Sequence, residues 1–180
     1  MVIDRSKNSV LRFIKEKMCK KLQSWTGKML SSAGKEVLLK YVALALSSYA
    51  MSIFKLPAGL CKELCQMMAK LWWGSDSGEK KMHWKSWANI SNVKGKGRLG
   101  FRDVQCFNTS LLARQVWRML TNPNLLVIKV VKGRYFPKSS ILDAQVKNGA
   151  SWIWQSLHSS IGMLNSGLRK QVGDGTTIAI

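Results

Sequence analysis

The 180-residue sequence predicts a mainly α protein: a helical bundle, then a helical linker, then a small C-terminal β-hairpin. Three observations carry this. Apolar residues recur at three- and four-residue steps over most of the chain, the period of a helix with one buried face. Glycine and proline punctuate those runs at a few places. Only around Gly173-Asp174-Gly175 do short apolar segments flank a turn that tolerates positive φ. The punctuation divides the chain into a bundle at 1–73, a basic glycine-rich region at 74–103, and a linker with its hairpin at 104–180. A chain of this length removes well over half of its unfolded surface from water, so disulfide staples are unnecessary.

The elements follow in order. Ser6 or Ser9 is placed to cap a first helix whose stripe is Leu11, Ile14, Met18, Leu22 and Trp25, with Arg12, Lys15, Lys17, Lys20 and Lys21 mostly off it. Ser31 or Ser32 opens a second helix, residues 34–54, apolar nearly all round and therefore expected at the centre of the packing. Pro57 suits the first turn of a third helix reaching Trp72. The segment 74–81 reads as loop, and Trp84 and Trp87 sit in a short helical or irregular piece. A fourth helix, 104–120, carries Leu111, Leu112, Val116 and Leu120 on one side and stops at Asn122-Pro123. A fifth runs on to Arg134, and a sixth, 151–164, bears Trp152, Ile153 and Leu157.

Charge narrows the function. Twenty-nine Lys and Arg against 9 Asp and Glu give a net +20, a field that attracts polyanions, so nucleic acid is the leading partner class. The excess is concentrated in residues 1–40 and 91–138, the latter holding Asp103 as its one acid. That pattern favours two faces or one composite groove. The uncharged run Tyr41–Phe54 is too short for a spanning helix and contains Ser47, Ser48 and Ser52, so no membrane role is expected. The N-terminus carries Asp4, Arg5 and Lys7 without an early apolar stretch. It therefore reads as lacking a secretory signal, with free thiols and an intracellular setting, the nucleus expected over the cytoplasm.

Catalytic and cofactor chemistry finds no foothold. Gly95 to Gly100 satisfies G-x-G-x-x-G, but Ile90–Lys94 is a poor strand to precede a dinucleotide fingerprint. The segment reads either as a cationic loop approaching a phosphate backbone, through Lys94, Lys96, Arg98 and Arg102, or as an ordinary solvated loop. Cys61 and Cys65 share a helix face without a second ligand pair, so they read as buried thiols and not as a zinc site. The nearest acids, Asp76 and Glu79, lie in a loop beside Lys80 and Lys81, a poor two-metal site. No catalytic residue, cofactor, metal or small-molecule substrate is assigned. Of the eight tryptophans most are expected in the core, with one or two left to stack on unpaired bases.

A series of ordered segments resembles one family. Gly97-Arg98-Leu99-Gly100-Phe101-Arg102-Asp103, Phe107-Asn108 and Leu111 to Arg118 are similar to the GGLGFRD…FN.ALLAKQ.WR signature of plant non-LTR (LINE-type) retrotransposon reverse transcriptases. Lys28 to Lys40, Met51-Ser52-Ile53-Phe54-Lys55-Leu56-Pro57, Leu71-Trp72-Trp73-Gly74, His83-Trp84 with Trp87, Lys132 to Pro137 and Val172 to Gly175 resemble further motifs of the same family in the same order. Arg98 stands where the family has glycine, Gly133 replaces alanine, and Lys170-Gln171 replace Trp-Arg. The resemblance implies a region downstream of the polymerase palm, a thumb-like bundle and linker that grip template and primer. It excludes the palm carboxylates, the zinc-binding segment and the ribonuclease H domain.

The resulting expectation is a non-catalytic fragment of such an RNA-directed DNA polymerase that binds RNA or DNA template–primer through phosphate contacts. The candidate contacts are Lys15, Lys17, Lys20, Lys21, Arg98, Arg102, Arg114 and Arg118. The competing reading is a helical protein-interaction module or a non-functional retroelement remnant.

Overall fold

In the computed structural model, residues 7–26, 28, 30–74, 87–91 and 99–169 are described. They are mainly helical, and no strand occurs among them. The expected hairpin finds no support: all of its residues except Arg169 lie outside the described residues, and Arg169 follows the last helix in irregular chain. The chain divides into two compact units, Met1–Leu112 and Ala113–Ile180.

In the first unit, α1 (Lys7–Gln23) buries Ile14, Met18 and Leu22 on the stripe the spacing predicts, and Trp25 continues it just beyond the helix. Because α1 already includes Ser9, that serine is not its cap, and Ser6 lies outside the described residues. α2 runs through three consecutive stretches, Ser32–Val37, a π-helical turn Leu38–Ala43, and Leu44–Met51. Its cap is Ser31, whose hydroxyl accepts the Gly34 N–H at 3.2 Å.

The expectation that α2 is surrounded needs correction. It buries Leu39, Ala43, Leu44, Ser47 and Met51, but Tyr41 is 69% and Tyr49 78% exposed. Absence of charge does not require burial on every side, and a tyrosine keeps its hydroxyl in water at no cost. Ser47, buried at the same time, satisfies its hydroxyl on the Leu44 carbonyl at 3.3 Å.

α3 (Ala58–Trp73) has Pro57 as its N-cap and not within its first turn. The short α4 (Trp87–Ile90) and the irregular residues 99–103 lead to α5 (Val104–Thr121), whose buried residues are Val104, Asn108, Leu112, Ala113 and Val116. One apolar core joins α1, α2, α3, α4 and the start of α5 through Met18, Leu39, Met51, Leu64, Met68, Ile90, Phe101 and Val104.

The second unit holds the end of α5, then α6 (Leu126–Tyr135), a 3-10 turn Ile141–Asp143, α7 (Trp152–His158) and α8 (Ile161–Gly167). The single helix expected over 151–164 is two. At the break the Ser159 and Ser160 hydroxyls bond the Ser156 and Leu157 carbonyls, each at 2.7 Å, and serines that bond backward in this way compete with the helical ladder. Of the aromatic and aliphatic residues there, Trp154 and Leu157 are buried while Ile153 faces solvent. Trp154 lies in an aromatic stack, 4.9 Å from Tyr135 at an interplanar angle of 6° and 5.5 Å from Phe136.

Candidate nucleic-acid interface

Much of the signature that suggests nucleic acid performs structural work, through Gly100, Phe101, Asp103 and Asn108. Gly100 has φ +68°, the left-handed region where a side chain is strained. The turn it makes drives Phe101 into the core, its ring 5.1 Å from Trp72 and 5.0 Å from Trp87. Asp103 caps α5, its carboxylate accepting the Cys106 N–H at 2.7 Å. Asn108, 2% exposed, accepts the Leu56 N–H at 2.8 Å and donates to the carbonyls of Met51 at 2.6 Å and Phe54 at 2.9 Å. It thereby ties α5 to the turn that ends α2, satisfying carbonyls a helix end leaves open.

The other motifs meet in the same way. Lys40 pairs with Glu36, donates to the Leu99 carbonyl at 2.6 Å and lies 5.3 Å over the Phe101 ring. Lys35 donates to the Gly74 carbonyl at 3.0 Å. At Gly74 a Cβ would stand 2.6 Å from the Lys70 carbonyl, so glycine is required by a close backbone approach. In the second unit Tyr135 bonds the Ser151 hydroxyl at 3.0 Å and accepts the Ser151 N–H at 3.1 Å, which together hold its phenol below the ordinary range.

The candidate contacts fall into separate places. On α1, Lys17, Lys20 and Lys21 are spaced three and four apart, share one exposed face, and take part in no ion pair among the described residues. Lys17 lies over Phe13 and Lys21 over Trp25, each at 5.7 Å to the ring centroid, so aromatic faces support both stems. Lys15 sits apart from them, bonded to Glu63 of α3 at 2.8 Å, and that hydrogen bond holds its ammonium above the usual lysine range. Arg102 is exposed and stacks over Phe107 at 4.8 Å. Arg98 lies outside the described residues.

In the second unit, Arg114 and Arg118 are exposed one turn apart on α5, with Trp117 between them 47% exposed. Arg12 is a cation the candidate set omits; it is exposed but bonded to Glu16 at 2.6 Å, four residues on. Trp117 could have been singled out from its place three residues after Arg114 and next to Arg118, an indole between two cations. Cys61 and Cys65 face a groove lined also by Trp87, Asp103 and Gln105, and burial raises both thiols, Cys65 to about 11. Among the described residues no group of three or more His, Cys, Asp or Glu is arranged to hold a metal, and no helix is long and apolar enough to cross a membrane.

Two relatives come from Arabidopsis thaliana. The first, called uncharacterized mitochondrial protein AtMg00310, is 38% identical over 133 residues, 73% of this chain and 86% of its own length. The chain belongs to its family. The second, called putative ribonuclease H protein At1g65750, is 30% identical over 164 residues, 90% of this chain, and the chain spans 25% of that longer protein. Relatives of these two kinds are typical of reading frames derived from retrotransposons, and the chain is a retrotransposon-related protein of mainly helical structure. No family model matches the chain, and no solved structure matches it.

Proposed function

We propose that this chain is a thumb-like, non-catalytic part of a LINE-type reverse transcriptase that binds an RNA or DNA template–primer duplex, working in the nucleus. The observation that carries the reading is the α1 face of Lys17, Lys20 and Lys21, three exposed ammonium groups free of ion pairs among the described residues in a chain of net +20. The longer relative's name supports it, since a ribonuclease H works on RNA paired with DNA and this chain lies within such a protein's length. On this reading the α1 lysines contact successive phosphates without reading sequence. Arg114, Arg118 and Trp117 offer a second contact set in which the indole stacks on an unpaired base. Arg102, Arg98 and Lys15 complete the set; Lys15 must first leave Glu63 and contributes least.

The test is binding of an RNA–DNA primer–template duplex over a salt series. Each phosphate contact contributes about 0.9 to the slope of log affinity against log salt. Replacing Lys17, Lys20 and Lys21 together by glutamine is expected to lower the slope by about 2–3 and weaken binding at low salt by more than tenfold. Affinity indifferent to salt, or unchanged in the triple variant, would overturn the reading and leave a helical protein-interaction module in its place.

A further inference from the structure

In the second unit the end of α5 and the start of α6 enclose a groove that duplex binding does not use. It has a volume of about 280 Å³ and is lined by Gln115, Arg118 and Met119 of α5 and by Leu125, Leu126 and Val127. Sites for drug-sized ligands measure roughly 300–1,000 Å³, so this one has room for a single planar ring system. Its α6 wall is apolar yet open to water, with Leu126 77% and Val127 48% exposed. Covering that wall with a flat apolar face is favourable.

The polar groups of the groove are uncommitted. Gln115 is half-buried, and its amide takes part in no hydrogen bond among the described residues. An amide presents a donor beside an acceptor, and so does the Watson–Crick edge of every base, provided that edge is not already paired. Gln115 and Arg118, three apart, share the face of α5 that lines the groove, while Arg114, Trp117 and Arg118 share the neighbouring face. Arg118 belongs to both. It stands between the groove and the exposed Trp117 ring, as a phosphate stands between two successive bases. We infer that this corner binds two successive unpaired nucleotides of a single strand. One base enters the groove against Met119 and Leu126 with its edge on Gln115, the linking phosphate pairs with Arg118, and the next base stacks on Trp117.

Charge complementarity selects this occupant. Neither α5 nor α6 carries an acid, and Arg114 and Arg118 take part in no ion pair among the described residues. An apolar groove alone would suit a peptide equally well. A nucleotide brings a flat apolar face, a hydrogen-bonding edge and an anion together, which matches the apolar wall, the free amide and the acid-free cationic rim. The inference rests on the nucleic-acid reading and adds to it a preference for single strand beside the duplex. A paired base has its Watson–Crick edge occupied, so a blunt duplex bypasses the groove.

Fluorescence anisotropy of the full chain with RNA–DNA duplexes tests this. One duplex is blunt, one carries a single-stranded extension of about four nucleotides, and one carries the same extension built of abasic residues, which keeps the phosphates and removes the bases. The normal extension should bind about tenfold tighter than the abasic one. That ratio should hold as salt rises while both affinities fall, because stacking and amide hydrogen bonds release no counterions. Gln115→Leu should cut the ratio about fivefold with an unchanged circular dichroism spectrum and leave blunt-duplex affinity within about twofold. Equal affinity for the two extensions alongside salt-dependent binding of the blunt duplex, as would follow if the groove took a peptide, overturns the inference and leaves the proposed function standing. So does a Gln115→Leu variant that keeps the full ratio. Failure to bind any of the duplexes overturns both.

Discussion

Replacing Asn108 by alanine isolates the clamp that joins α5 to the end of α2. The amide makes three hydrogen bonds from a position 2% exposed. Its removal leaves the buried Leu56 N–H with no acceptor, a loss of about 1–3 kcal/mol, while the two carbonyls lose a donor but keep a second lone pair, at about 0.5 kcal/mol each. The total is about 3 kcal/mol, a fall in Tm on the order of 10 °C for a unit of this size. Urea unfolding followed by circular dichroism reads it directly, with the midpoint reduced and the slope m unchanged.

Asn108→Asp sharpens the test. It keeps the acceptor for Leu56 but turns an oxygen toward two carbonyls, which raises the folded-state pKa of the introduced carboxyl above its unfolded value near 3.9. The protonated form donates to one carbonyl. That variant should therefore be most stable below about pH 4 and lose stability as pH rises through the raised pKa. A loss under about 1 kcal/mol for Asn108→Ala, or an Asn108→Asp variant indifferent to pH, would refute the clamp.

Three further outcomes follow from single positions. A Cβ at Gly133 meets nothing within 4 Å in the last turn of α6, so Gly133→Ala should stabilise the second unit by up to about 1 kcal/mol, read as a higher melting temperature. Gly100→Ala forces a side chain into φ +68° and should cost about 1–2 kcal/mol in a urea melt. Burial lifts the Cys65 thiol from 9.0 to about 11. At pH 8 it should therefore alkylate about a hundredfold more slowly than an unperturbed thiol, as mass spectrometry of peptide digests would show. Because the folded chain holds that proton longer, this thiol's share of stability is whole below about pH 9 and is lost as pH climbs toward about 11.

What the sequence discloses is what periodicity and punctuation can carry. The α1 stripe, the Ser31 cap and the Asn122-Pro123 stop of α5 depend on residues within a turn of one another, and they are found as read. The π turn in α2, the split between α7 and α8, and the solvent face of Tyr41 and Tyr49 depend on competition between local hydrogen bonds and distant packing, which spacing does not encode. The candidate site shows the same divide. Exposure of the α1 lysines follows from the stripe opposite them, whereas the Lys15–Glu63 pair joins residues 48 positions apart and is visible only once α1 and α3 are packed.

The Asn108 clamp changes what the family signature measures. Phe107-Asn108 is answered by Met51 to Leu56, 52 to 57 residues earlier in the chain, so the two motifs act as lock and keyhole of one fold. A retrotransposon-related chain that keeps both halves keeps the contact that fastens α5 to the end of α2. Joint retention of Asn108 and its turn therefore reports on whether such a chain can fold, separately from any question of activity.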